Sequence, residues 1–97
     1  MAKVQFRITY SIPDGKRGDY LQAISKLREY YGGAGVEYGV FESKGRHNHF
    51  QEVYVYPSQE AYDASDDPET ITEISGAIDK IYSLAKDITY DVSSQVD

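Results

Sequence analysis

Apolar and polar residues alternate without a break over residues 3–12. Val4, Phe6, Ile8, Tyr10 and Ile12 fall on one side, and Lys3, Gln5, Arg7, Thr9 and Ser11 on the other. A period of two sustained this long predicts a strand. Pro13-Asp14-Gly15 carries turn chemistry and ends it. The apolar spacing then lengthens to that of a helix over residues 19–31, where Leu21, Ile24, Leu27, Arg28 and Tyr31 form one stripe. Asp19, with Gln22 three residues on, fits a capping box. Gly32 and Gly33 supply the left-handed conformation that stops the helix.

Residues 36–44 predict a second strand. Val36, Tyr38 and Val40 share a face, and Phe41 breaks the alternation. That break implies either a strand covered on both sides or a bulge at Gly39. Lys44-Gly45-Arg46 reads as a hairpin tip. The third strand, over residues 49–56, puts Gln51, Val53 and Val55 on one side and Phe50, Glu52, Tyr54 and Tyr56 on the other. Pro57 closes it, because proline cannot donate to a ladder. Ser58 then caps a short helix with Gln59 and Glu60 in its first turn. Asp66-Asp67-Pro68 interrupts that helix, and Asp67 as cap with Pro68 as first residue predicts a longer one. Ile71, Ile74, Ile78, Ile81 and Ala85 form its apolar seam. Gly76 within it costs ~1 kcal/mol against alanine, and is either a point of close backbone approach or simply tolerated. Residues 87–92 predict the last strand, and residues 93–97 a frayed tail.

The order is strand, helix, strand, strand, helix, strand. Right-handed crossovers turn it into a ferredoxin-like α+β domain spanning residues 1–97, with a four-stranded antiparallel sheet and helices on one face. Tyrosines and valines occupy both faces of the second and third strands. Burial of the second face against another copy of the chain, sheet on sheet, is the expected solution, so the chain is expected to be its own partner.

Composition narrows the partners. The 97 residues include 10 basic and 16 acidic side chains, a net charge of −6. An acid excess repels phosphate backbones and anionic lipid, so neither nucleic acid nor membrane is expected as partner. No cysteine is present, which removes disulfides and thiolate chemistry. No apolar run reaches the ~20 residues of a membrane span, and the N-terminus enters a strand without a basic-then-apolar leader. A cytoplasmic protein is expected. Ten tyrosines and no tryptophan are unusual for this length; tyrosine suits half-wet pockets and interfaces and is also a good strand residue.

Two patches resemble the antibiotic-biosynthesis-type monooxygenases of the dimeric α+β barrel superfamily. One is Ile12-Pro13-Asp14-Gly15 followed by Asp19-Tyr20-Leu21. The other is Tyr54-Val55-Tyr56-Pro57-Ser58-Gln59-Glu60-Ala61-Tyr62-Asp63-Ala64. The family commonly has a strand followed by serine, a spacer, glutamate, alanine and an aromatic. The resemblance implies a dimeric α+β barrel and a monooxygenase, needing no cofactor, that acts on a small aromatic or quinone-like compound. In such a reaction a substrate carbanion or phenolate itself reduces oxygen. Family members often carry a histidine four residues after that alanine, where this chain has Ser65, and the haem-degrading branch uses a tryptophan that is absent here. The alternative is a non-catalytic module that binds a small ligand or another protein.

Tyr54, Tyr56 and Tyr62 bracket the strand-to-helix junction. They either line an aromatic pocket, where a phenol can hold a quinone oxygen, or serve packing and the dimer interface. Tyr54, His49 and Arg7 are the catalytic candidates. Arg7, on the polar face of the first strand, either offsets substrate charge or pairs with Glu37 or Glu52 across the dimer. His47, His49 and Glu52 are the one metal-like group. In a regular strand the two histidines share a face and Glu52 points away, so solvated histidines at a hairpin tip are expected, and no metal. Gly32-Gly33-Ala34-Gly35 follows a helix instead of a strand, so it reads as a linker and not as a phosphate cradle.

Overall fold

The computed structural model describes residues 2–96. Strand β1 (Val4–Ser11) leads through a 3₁₀ turn (Asp14–Lys16) into helix α1 (Arg17–Gly32). Strands β2 (Glu37–Glu42) and β3 (His49–Tyr56) form a hairpin. Helix α2 (Gln59–Asp63), a 3₁₀ turn (Pro68–Thr70) and helix α3 (Thr72–Leu84) then lead to β4 (Lys86–Ser94). The strands are all antiparallel, in the order β2-β3-β1-β4. This is the α+β arrangement the element order predicts.

The buried face of β1 is the predicted one: Val4, Ile8, Tyr10 and Ile12 are buried, and Phe6 packs against them. The face of β3 that meets the helices is the one carrying Phe50, Glu52, Tyr54 and Tyr56. From α1 the core takes Tyr20, Ala23, Ile24, Leu27 and Tyr31. From α3 it takes Ile74, Ala77, Ile78 and Ile81. Leu27 has no exposed surface, so Leu27→Ala costs about 2–5 kcal/mol. No helix among the described residues is long and apolar enough to cross a membrane.

Local readings differ at several points. Helix α1 begins at Arg17, so Asp19 lies inside its first turn and is not the cap; the capping position is Lys16, which makes no side-chain bond. The buried stripe also differs from the predicted one: Tyr20 and Ala23 are inside, and Leu21 and Arg28 are exposed. Gly33 has φ −96°, and the left-handed residue is Gly35 at φ +76°. Strand β2 pairs with β3 in unbroken register, so there is no bulge at Gly39. Phe41 instead points to the outer face, and its ring lies 3.3 Å from the place a Cβ on Gly39 would occupy. Gly39 is therefore the seat of the Phe41 ring. Ser58 caps α2 as predicted, its hydroxyl accepting from the Ala61 amide at 3.1 Å. Asp67 caps only the 3₁₀ turn; Ile71 is extended at φ −85°, ψ 110°, and α3 starts after it. A Cβ on Gly76 would meet nothing within 4 Å, so no close approach requires that glycine. Strand β4 runs past the predicted end. Ser93 and Ser94 pair with Gln5 and Val4, and the Gln95 amide donates to the Lys3 carbonyl, so the expected fraying does not begin at Ser93. The last position of that predicted tail, Asp97, lies outside the described residues.

Candidate functional site

Three sheet strands, α2, the α2–α3 connection and the inner side of α3 enclose a cleft of about 390 Å³. That is within the size range of small-molecule sites, ~300–1,000 Å³. Strand β1 contributes Phe6 and Ile8, and β3 contributes Tyr54 and Tyr56. These pairs arrive together because the β1–β3 ladder sets Phe6 opposite Tyr54 and Val4 opposite Tyr56. Tyr62 comes from α2, Ile78 and Tyr82 from α3, and Tyr90 from β4. Residues 65–69 close one end with Ser65, Asp66, Asp67 and Glu69.

The rings are ordered. Phe6 and Tyr90 lie parallel, 2° apart in tilt and 6.1 Å between centroids. Tyr54 meets Phe6 at 5.6 Å, and Tyr62 meets Tyr56 nearly edge-on at 5.3 Å. The Tyr90 phenol donates to the Tyr82 oxygen at 3.5 Å. Burial pushes the Tyr82 phenol above its ordinary pKa, so at neutral pH it is a donor and not a base. Tyr54 sits in the cleft floor with no exposed surface, whereas Phe6, Tyr62 and Tyr82 are half-buried and Tyr90 is exposed.

Behind the floor lies Glu52, only 2% exposed. Three phenols donate to its carboxyl group. Tyr10 reaches Oε2 at 2.7 Å, Tyr38 reaches Oε1 at 2.7 Å, and Tyr54 reaches Oε1 at 3.3 Å. The Tyr20 oxygen lies 2.7 Å from that of Tyr10 and extends the network. Burial raises the Glu52 pKa, against the phenol hydrogen bonds that lower it. Burial likewise pushes Tyr10, Tyr38 and Tyr54 far above the normal phenol value, and the nearby Glu52 carboxylate adds to the effect. Tyr54 thus joins the floor of the cleft to a buried acid.

The predicted site residues separate into two groups. Tyr54, Tyr56 and Tyr62 converge on the cleft. Arg7 and His49 lie on the opposite face of the sheet: Arg7 faces Val53 and Asp91 in the ladders, and His49 follows the parity of Gln51 and Val53. Arg7 therefore does not pair with Glu52, because the sheet lies between them. Its Nε is buried without a hydrogen-bond partner among the described residues. His47 is in the hairpin turn and not in the strand, so the two histidines do not share a strand face. His47 approaches Asp14 at 3.5 Å and Glu42 at 3.6 Å, while His49 Nε2 lies 3.1 Å from Arg46 Nη2. No group of three histidines or carboxylates among the described residues is placed to hold a metal. Gly33, Ala34 and Gly35 lie in the connection from α1 to β2, as predicted, while Gly32 is the last residue of the helix.

No protein-family model and no curated protein matches the sequence. Solved structures do match. An antibiotic biosynthesis monooxygenase superposes with TM-score 0.78 at 18% identity, covering 100% of both chains. The chain has the fold of the antibiotic biosynthesis monooxygenases. A variant of SnoaB, a cofactor-independent oxygenase from Streptomyces nogalater, gives TM-score 0.76 at 7% identity, covering 98% of this chain and 94% of the other. A conserved protein of unknown function from Bacteroides thetaiotaomicron gives TM-score 0.76 at 17% identity, covering 96% and 97%.

In this monooxygenase fold the chain carries site residues that pattern reading passed over. Phe6, Tyr82 and Tyr90 come from three separate elements, and nothing in their spacing brings them to Tyr62. Glu52 left a signal: it is the one carboxylate on a strand face otherwise made of Phe50, Tyr54 and Tyr56. A lone acid on an aromatic face must find donors, and tyrosine is the donor this chain supplies in quantity.

Proposed function

We propose that the cleft binds a small aromatic or quinone-like compound and that the protein oxygenates it without a cofactor. The observation that carries this reading is the cleft itself: stacked and edge-on aromatic rings, with phenol donors at Tyr62 and Tyr82. A flat ligand gains apolar burial from the rings and hydrogen bonds for its oxygens from the phenols. The fold shared with SnoaB supports the reaction class.

The proposed reaction balances without an added reductant. A ring methylene flanked by unsaturation loses a proton, and the carbanion gives its electrons to O₂. The resulting hydroperoxide loses water and leaves a carbonyl. One methylene and one O₂ enter, and one carbonyl and one water leave. The carboxylates of the wall, Asp66, Asp67 and Glu69, are the groups available to take the proton. Phenol donors stabilise negative charge that develops on the substrate oxygen. Tyr54, held from behind by Glu52, fixes the floor.

Oxygen uptake with a panel of hydroxyquinones tests this. Turnover of at least one member is expected, slowed in Tyr62→Ala and Tyr82→Phe and unchanged in His49→Ala. No uptake across the panel would favour the non-catalytic binding module.

We also infer that two chains pair through the outer sheet face. Phe41, 61% exposed, lies there with Val53 and Val55. The buried Arg7 Nε on the same face lacks a partner within the described chain, and such groups normally find one.

A further inference from the structure

Among the described residues, the wall of the cleft contains no basic side chain. Its charged members are Asp66, Asp67 and Glu69, all exposed at the mouth. Among the described residues none of the three has a lysine, arginine or histidine nitrogen within 4.0 Å. Asp67 uses one oxygen to cap the Glu69 amide at 3.0 Å, and that bond leaves its charge uncompensated. The accessible rings, Phe6, Tyr62, Tyr82 and Tyr90, line the same space, and an aromatic ring carries negative potential over its face. The whole chain adds a field of the same sign, at net charge −6.

Every ionised group in the wall of the cleft therefore has one sign. An anionic ligand would meet three carboxylates and no counter-charge. A neutral ring would gain area and phenol hydrogen bonds but no charge pair. A cation held over a ring face within ~6 Å is attracted by the quadrupole, and the mouth carboxylates add a charge pair. The size of the cleft fits a two- or three-ring system.

We propose that the ligand of this cleft is an aromatic cation, a flat ring system carrying a positively charged tertiary or quaternary nitrogen. The proposal rests on the reading of the cleft as the ligand site and names the charge class of what it takes. The rings hold the aromatic part, and the charged nitrogen lies toward residues 66–69. A protonated or alkylated nitrogen also acidifies neighbouring C–H bonds, which suits the carbanion step.

Equilibrium titration with three probes of one shape tests this: N-methylquinolinium, its neutral isostere 1-methylnaphthalene, and 1-naphthalenesulfonate. At low salt the cation should bind about tenfold more tightly than the neutral probe, and the sulfonate most weakly. In the Asp66→Asn, Asp67→Asn, Glu69→Gln triple variant the preference should shrink to within about twofold, with the neutral affinity unchanged. Tyr62→Ala should weaken the cation and the neutral probe together. Neutral or anionic probes binding as well as the cation would overturn the charge assignment and leave the cleft as the ligand site. So would a cation preference that survives the triple variant. If none of the probes binds to protein shown by circular dichroism to be folded, the cleft reading falls as well. Oxygen uptake plays no part in the measurement, so a failure of the proposed oxygenation alone would leave its outcome untouched.

Discussion

Tyr10 donates its phenol to Glu52 Oε2 at 2.7 Å although the two residues are not opposite each other in the sheet. Ile8 faces Glu52 across the β1–β3 ladder, and Tyr10 faces Phe50. The bond is a diagonal one, within reach of a long side chain. It also orders what lies beyond. Once the single Tyr10 hydrogen goes to Glu52, Tyr20 donates to Tyr10 at 2.7 Å. Tyr20 in turn packs at 4.4 Å against Phe50, so one acid couples β1, β3 and α1.

Removing that acid should cost more than its own hydrogen bonds. Glu52→Ala leaves the phenols of Tyr10, Tyr38 and Tyr54 without their common acceptor. Each buried unsatisfied group costs about 1–3 kcal/mol, with a cavity term besides. A loss of about 3–5 kcal/mol is expected in urea unfolding, against about 1–2 kcal/mol for Glu52→Gln. Glu52→Leu combined with Tyr10→Phe and Tyr38→Phe should recover much of the loss, because donor and acceptor then leave together. A Glu52→Ala protein within about 1 kcal/mol of the parent would mean that the phenols find other partners.

Two carboxylates should shape the pH dependence in opposite senses. Burial raises the folded pKa of Glu52. Its contribution is therefore fully present below the ordinary glutamate value of about 4.3 and is lost as pH rises through the folded pKa. Glu42 behaves the other way. The Arg17 guanidinium bound to it, and then the Asn48 amide, bring it down to about 2. Its contribution is present above the ordinary value and is lost as pH falls through about 2. Urea midpoints from about pH 2 to about pH 8 should show both flanks. Glu42→Gln should flatten the acid flank only, and Glu52→Gln the flank above it. Identical profiles for the two variants would sink the assignment.

Much of the fold could be read from periodicity. Strand β3 matches its predicted bounds, and β1 shows its buried side through the Val4-to-Ile12 alternation. Helix boundaries were less legible, because Asp19 and Asp67 are both acceptable caps locally and tertiary packing chose other starts. The site was half legible. Tyr54, Tyr56 and Tyr62 are close in sequence, so a strand-to-helix turn gathers them. Arg7 already fell on the polar side of β1, whereas His49 sat on β3, whose inward face the alternation alone did not settle. Only the burial of Glu52 among phenols shows that β3 turns its acid toward the helices.

The outer sheet face makes the dimer testable by one side chain. Phe41 lies flat over Gly39 beside Val53 and Val55, an apolar patch with no cover of its own. Sedimentation at micromolar concentration should give about twice the 11.0 kDa chain mass. Phe41→Asp should return the protein to a single chain with its far-ultraviolet circular dichroism unchanged, since Phe41 is outside the core. A parent that sediments as one chain would remove the sheet-to-sheet pairing and leave the monomer fold intact.

The hairpin end of the sheet should not bind metal. His47 has two carboxylates nearby, Asp14 and Glu42, which looks like a start on a divalent site. Those carboxylates are already engaged. Arg17 Nη1 donates to Glu42 Oε2 at 2.6 Å and Nη2 to Oε1 at 2.9 Å, and the Asn48 amide also donates to Oε2 at 2.9 Å. Asp14 Oδ1 accepts from Asn48 Nδ2 at 2.9 Å. A cation entering there would displace a fixed guanidinium and meet its charge at close range. The second histidine offers no help, because Arg46 Nη2 sits 3.1 Å from His49 Nε2. Zn²⁺ or Ni²⁺ should therefore leave the melting temperature unchanged, since only a ligand bound to the folded state raises it. Calorimetric titration of Zn²⁺ into chelator-treated protein should show no binding at micromolar concentration. Arg17→Ala supplies the contrast: freeing Glu42 from its guanidinium should make weak Zn²⁺ binding detectable, and His47→Ala in that background should abolish it. Micromolar binding to the parent that disappears in His47→Ala or His49→Ala would show that the arginines do not guard this site.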